Sequence, residues 1–155
     1  MSDITTVILA AGNSTRFKAS KSKLVYPLCG LPIVSHIFNI AKKISGKNIL
    51  VVSNEKNKEE LKLILNTSKL VVQKKQKGTA DAIEQVKKYV KSKNILILFG
   101  DTPLVEVKDI RKLVSKFKKS KAKASLIAFN TSEPHGYGRL SVSYTHLTLP
   151  TNRCV

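Results

Sequence analysis

The stretch Ile4-Thr5-Thr6-Val7-Ile8-Leu9-Ala10-Ala11-Gly12 decides the fold. Residues 4–10 are apolar or β-branched throughout, with no polar alternation. That pattern predicts a strand buried on both faces rather than one with a wet side. The side chains then shrink to Ala-Ala-Gly, and a polar segment without helical period follows over residues 11–22. A strand buried on both faces needs parallel neighbours beside it and helices above and below it.

The remainder of the chain supplies both. Gly30-Leu31-Pro32 leads into a helix over 33–44, where Ile33, Ile37, Ile40 and Ile44 recur at helical spacing. Pro32 suits the first helical turn. Residues 48–53 read as a strand, 56–65 as a helix with Leu61, Ile64 and Leu65 on one side, and 69–73 as a short strand. A helix over 79–90 turns Ala82, Ile83, Val86 and Val90 inward. A buried strand over 94–99, a helix over 107–118 with Ile110, Val114 and Phe117 aligned, and a strand over 124–130 complete the series. The alternation predicts an α/β fold, a three-layer αβα sandwich on a Rossmann-like, mostly parallel sheet. No internal repeat is visible, and 155 residues suit one domain.

In such sheets ligands bind beyond the carboxyl ends of the strands. Four loops there carry chemistry. Leu9-Ala10-Ala11-Gly12 lets a backbone approach a ligand, and its N–H groups could cradle phosphate, with Arg16 and Lys23 adding charge. The same residues would also serve a plain strand-to-loop turn, and they match neither a Walker loop nor the dinucleotide glycine pattern. Gln73 carries a donor and an acceptor, as reading a pyrimidine edge requires, with Gly78 permitting close approach and Thr79 a good N-cap. A surface glutamine before a capped helix has the same sequence. Asp101, in Phe99-Gly100-Asp101-Thr102-Pro103-Leu104, is a carboxylate of the kind that Mg²⁺ takes beside phosphate oxygens, or else a turn former. Pro134-His135-Gly136-Tyr137-Gly138-Arg139 reads as a tight loop near a ligand. His135 and His36 are assigned no catalysis, and no Ser-His-Asp or Cys-His arrangement can be argued.

Taken in order, these loops resemble those of bacterial N-acetylglucosamine-1-phosphate uridylyltransferases, within the sugar-phosphate nucleotidyltransferases of MobA-like fold. The resemblance runs from about Thr6 to Leu140. It rests on Val7 to Gly12, Thr15-Arg16, Lys23, Gln73 with Gly78-Thr79, Gly100 to Leu104, and Gly136-Tyr137-Gly138-Arg139. It implies uridylyl transfer from UTP to N-acetylglucosamine 1-phosphate with Mg²⁺. Leu9, Ala10, Ala11 and Gly12 would hold the nucleotide, and Gln73, Gly78 and Thr79 would read uracil. Arg16 and Lys23 would neutralise the triphosphate, Asp101 would ligate Mg²⁺, and Gly138 would lie against the amino sugar. The first loop departs from the family's usual Gly-Lys-Gly-Thr-Arg-Met, reading Gly12-Asn13-Ser14-Thr15-Arg16-Phe17, and Ser22 stands where proline is common. Another sugar-1-phosphate or molybdopterin-type nucleotidyltransferase is the alternative, against which the Gln73 spacing argues.

The resemblance covers residues 1–140 as the front part of such a domain. Residues 142–151, Val-Ser-Tyr-Thr-His-Leu-Thr-Leu-Pro-Thr, look instead like the translation of a transposon-end sequencing adapter. Residues 141–155 are therefore expected to be a non-native tail, and the chain itself to be a truncated, inactive fragment.

With 28 Lys and Arg against 10 Asp and Glu, the net charge is +18. Charge alone permits a nucleic-acid partner. The lysines are spread over presumed helix faces and lack interleaved aromatics for base stacking, which argues against it. The same field would attract a nucleoside triphosphate and a sugar phosphate. Cys29 and Cys154 have no metal or disulfide spacing, and Cys29 sits in an apolar setting expected to bury it. The absence of a basic leader and of a 20-residue apolar run points to the cytoplasm, not a membrane.

Overall fold

The computed structural model describes residues 3–12, 17, 21–67, 69–133, 135, 138, 140–142 and 147–148. The chain divides into two compact units, Met1–Lys112 and Leu113–Val155. In chain order the first carries β1 (Ile4–Leu9), β2 (Pro27–Leu28), β3 (Leu31–Pro32), α1 (Ile33–Ser45), β4 (Ile49–Ser53), α2 (Lys58–Leu65), β5 (Leu70–Val72), α3 (Thr79–Val86), β6 (Asn94–Phe99) and the start of α4 (Val107–Lys119). The second holds the rest of α4 and a two-residue ladder between β7 (Ser141–Val142) and β8 (Leu147–Thr148).

The apolar runs pair as one parallel sheet in the order β5-β4-β1-β6. Val7 and Leu9 of β1 stand beside Leu50 and Val52 of β4, and this face packs Ala82 and Val86 of α3. The intervening residues face the other way, where α1 covers them: Ser45 of α1 and Thr6 of β1 join hydroxyl to hydroxyl. Ile8, Ile37 and Val51 are fully buried. Helices thus lie on both faces, the three-layer arrangement expected. Ile95 and Phe99, register partners of Thr5 and Leu9 on the α3 face, stay 42% and 49% exposed, because α3 packs over β1, β4 and β5 rather than β6.

Three expectations change. Residues 124–130 are not a strand: Leu126, Ile127 and Phe129 are exposed, and the segment makes no ladder with a described strand. An apolar run becomes a strand only where another strand takes its peptide groups. The helix begun at Thr79 ends at Val86 and tightens into a 3₁₀ turn over Lys87–Tyr89, though Val90 still packs on the core. Cys29 is exposed. With Gly30 it forms the two-residue turn between β2 and β3, both at positive φ (48° and 80°), so its side chain stands at a hairpin tip. His36 Nε2 meets the Leu28 carbonyl at 2.8 Å, a structural contact.

Helix α2 offers an internal control on the packing. Leu61 is fully buried, and Leu63, two residues on, is 82% exposed. Leu61→Ala is expected to cost about 2–5 kcal/mol in denaturant unfolding, by lost burial plus a cavity. Leu63→Ala should stay within about 0.5 kcal/mol of the parent. Equal losses would contradict the placement of α2.

Candidate functional site at the carboxyl edge of the sheet

Strands β1 and β6 end side by side, Leu9 against Phe99, and the Gly100 N–H donates to the Leu9 carbonyl at 2.9 Å. A Cβ on Gly100 would stand 3.2 Å from that carbonyl oxygen and 3.5 Å from the Ala10 methyl, so a side chain here fits only if the Leu9 carbonyl gives way slightly. Asp101 follows at once, in a turn closed by Thr102, whose hydroxyl donates to the Phe99 carbonyl at 2.9 Å.

Lys23 reaches the same place from the short 3₁₀ turn Lys23–Val25. Leu24, 3% exposed, anchors the turn, and the Ser22 hydroxyl accepts from the Leu24 N–H at 3.4 Å. Ser22 thus caps the turn. Lys23 Nζ lies 2.5 Å from Asp101 Oδ2, with both side chains about 40% exposed (39% and 40%). At that exposure the pair is worth about 0–1 kcal/mol in stability. Its significance is a cation and a carboxylate held together beside the Ala10–Gly12 loop.

That loop is fixed through its carbonyls. Asn57 Nδ2 donates to Ala10 O at 2.8 Å, Asn54 Nδ2 to Ala11 O at 2.9 Å, and Gln76 Nε2 to Ala11 O at 2.6 Å. The two asparagines hold each other: the Asn54 N–H donates to Asn57 Oδ1 and the Asn57 N–H to Asn54 Oδ1, both at 2.9 Å. They are 7% and 3% exposed. A trans peptide points its N–H opposite to its C=O. Clamping the Ala10 and Ala11 carbonyls therefore turns the Ala11 and Gly12 N–H groups the other way, and neither donates to a described residue. Successive N–H groups turned the same way and left without a described acceptor suit an anion. Sequence reading missed Asn54, Asn57 and Gln76. Their signal was faint: an asparagine directly after a fully apolar strand, with another three residues on.

Gln73 is 4% exposed and tied to the end of β4 by its N–H, which donates to Ser53 O at 2.8 Å. Its Nε2 donates to Gly78 O at 3.2 Å and to Asp81 Oδ2 at 2.6 Å. Gly78, at φ 105°, takes the N-cap position expected for Thr79, which instead opens α3, and no side chain caps the helix. Gln76 joins this loop to the first one. The structure thus brings together Leu9 to Gly12, Lys23, Gln73, Gly78, Thr79 and Asp101. Arg16 lies outside the described residues, and Gly138 is exposed in the second unit.

Asp101 belongs to no cluster of three or more His, Cys, Asp or Glu among the described residues. A dedicated protein cage is therefore not what these residues build. One carboxylate directly after the β6 end, beside loop amides with no described acceptor, fits Mg²⁺, which keeps waters and takes much of its coordination from phosphate oxygens.

Comparison with known proteins gives the family and the fold. The sequence profile of the MobA-like NTP transferase domain matches residues 6–146. The bifunctional protein GlmU of Buchnera aphidicola subsp. Schizaphis graminum is 41% identical over 140 residues, 89% of this chain and 30% of that protein. GlmU of Campylobacter fetus is 39% identical over 145 residues, 90% of this chain and 32% of that protein. The chain thus spans about a third of the length of the relatives it matches. Among solved structures, a candidate glucose-1-phosphate thymidylyltransferase from Bacillus anthracis superposes with a TM-score of 0.80 at 19% identity, over 93% of this chain and 62% of that one. Rv0371c of Mycobacterium tuberculosis in complex with manganese gives 0.62 at 17% identity, over 77% and 62%. No helix among the described residues is long and apolar enough to cross a membrane.

The carbonyl clamp is directly testable. Asn57→Asp is nearly isosteric but cannot donate, and it sets an acceptor against Ala10 O. It is expected to cost about 1–3 kcal/mol in urea unfolding. An unchanged midpoint would mean that the loop carbonyl is held by something else.

Proposed function

The chain belongs to the family of MobA-like NTP transferase domains, and from that premise we propose that it supplies the nucleotide-binding part of a cytoplasmic enzyme that transfers a uridylyl group from UTP to N-acetylglucosamine 1-phosphate. The observation that carries this reading is the convergence at one sheet edge of an amide cradle, a Lys23–Asp101 pair and an amide acceptor on Gln73. The GlmU relatives, 31–41% identical over most of this chain, support it.

In the reaction an oxygen of the sugar phosphate attacks the α-phosphorus of UTP, a new P–O bond forms, and pyrophosphate leaves with the electrons of the broken one. Charge moves among phosphate oxygens, so catalysis is positioning plus stabilisation by fixed cations and dipoles. The Ala11 and Gly12 N–H groups bind phosphate oxygens. Lys23, released from Asp101 when nucleotide arrives, neutralises charge on the triphosphate, and Arg16 does the same. Asp101 would hold Mg²⁺, which when bound supplies further charge neutralisation, and the manganese complex of Rv0371c is in keeping with a divalent ion there. Gln73 Oε1 accepts from the N3–H of uracil while Gly78 and Thr79 border the base. The resemblance gives Gly138 a backbone contact to the amino sugar.

A second reading is a thymidylyl transfer to another sugar 1-phosphate, because thymine presents the same N3–H to Gln73. A molybdopterin-type transferase or a basic nucleic-acid-binding module has no comparable observation behind it.

Pyrophosphate release by the longer protein carrying this segment tests the reading. UTP with N-acetylglucosamine 1-phosphate should turn over well ahead of CTP and GTP, and Asp101→Ala should abolish it. Gln73→Ala should lower UTP affinity by about 1–3 kcal/mol. Preference for dTTP would favour the second reading, and equal use of all four nucleotides would refute base reading by Gln73. Residues 141–155 should be dispensable for nucleotide binding, so removing them should leave UTP affinity unchanged.

A further inference from the structure

We infer that Asp81 is a positioning residue that sets the pyrimidine specificity of this site by fixing which way the Gln73 amide faces. The inference rests on the uracil-reading role of Gln73 proposed above and adds the residue that gives that role its sign. A side-chain amide has two nearly isosteric ends, a carbonyl that accepts and an NH₂ that donates, and it can present either one to a ligand. Left to rotate, Gln73 could accept from the N3–H of uracil or donate to the bare N3 of cytosine.

The structure removes that choice. Gln73 Nε2 sits 2.6 Å from Asp81 Oδ2 and 3.2 Å from the Gly78 carbonyl, and both partners are acceptors. A flipped amide would set its carbonyl oxygen against a carboxylate and a peptide oxygen at those distances, three acceptors with no proton between them. The donor end is therefore held inside the loop. Oε1 makes no hydrogen bond to a described residue, and it is the polar atom that remains for a base. An acceptor so fixed meets the N3–H of uracil and opposes the N3 lone pair of cytosine.

Asp81 is well placed to do this and is itself constrained. It lies in the first turn of α3, where its other oxygen, Oδ1, is 3.5 Å from Gln85 Nε2. A carboxylate in a first helical turn also favours the helix dipole. That effect would raise stability without regard to the base, so loss of stability is not the readout. The readout is the ratio of affinities for two nucleotides that differ at the pyrimidine edge.

The experiment measures UTP and CTP binding to the 155-residue chain by calorimetry with Mg²⁺ present, for the parent and for Asp81→Asn and Asp81→Ala. The parent should prefer UTP. Both variants should lower the UTP-to-CTP ratio by about fivefold, one hydrogen bond's worth of orientation, and through improved CTP binding as well as weakened UTP binding. Asp81→Glu should restore part of the ratio. Thermal melting of each variant separates folding from specificity. In parallel, the Gln73 side-chain amide signals in a nitrogen–proton NMR spectrum should move in Asp81→Asn without any nucleotide. A parent that prefers UTP while both variants keep its ratio would overturn the role of Asp81 and leave the uridylyl reading intact. A parent that binds neither nucleotide, or both equally, would overturn the uridylyl reading and the inference with it.

Discussion

Strand β1 is hydrogen-bonded in parallel on both edges, to β4 and to β6, and the site is a consequence of that pairing. Parallel neighbours must run the same way, so their carboxyl ends arrive together and the loops beyond them share one edge. The ladder also creates a difficulty. Where β1 stops, the peptide groups of Ala10 and Ala11 still sit inside the protein, 1% and 6% exposed, with no strand left to take their carbonyls. Buried carbonyls need donors. Asn57 and Asn54, at the end of the neighbouring strand, provide them. Satisfying the carbonyls orients the N–H groups, so a requirement of folding shapes the proposed anion cradle.

The second loop is coupled to the first by the same means. Gln76 gives its amide to Ala11 O, and Gln73 hangs from Ser53 at the end of β4. The proposed base and phosphate contacts would therefore stand on one framework of three adjacent strand ends. The charged pair adds what the backbone lacks. Lys23 and Asp101 neutralise each other at an exposed position where either can turn to a ligand of opposite sign. Over the whole chain, a charge of +18 favours the approach of polyanions in general without deciding among them.

The arrangement of strands was legible because fully apolar runs have few other uses, and the bounds of β1, β4 and β6 fall within a residue of those expected. The edge position of Asp101 followed from Gly100 and the strand before it. Lys23 was legible only as a charge; its place depends on Leu24 burying itself and Ser22 capping the turn. The errors have physical sources. Apolar content at Leu126, Ile127 and Phe129 suggested a strand, but a strand is a relation between segments and no described partner exists. Cys29 looked buried because its neighbours are apolar, whereas a two-residue hairpin puts its tip in solvent. Asn54, Asn57 and Asp81 were passed over because their chemistry is directed inward, at carbonyls and an amide, and no local pattern announces it.

The account stands most directly on the claim that the three strand-end loops form one nucleotide site. Backbone amide NMR of the chain titrated with UTP and Mg²⁺ examines that claim residue by residue. The account predicts that the amides of Ala11, Gly12, Gly78 and Asp101 shift together along one binding curve, with the Gln73 side-chain amide following them. Shifts confined to the lysine-lined groove between β5 and α3, at Lys74, Lys88 and Tyr89, with the strand-end amides unmoved, would contradict it.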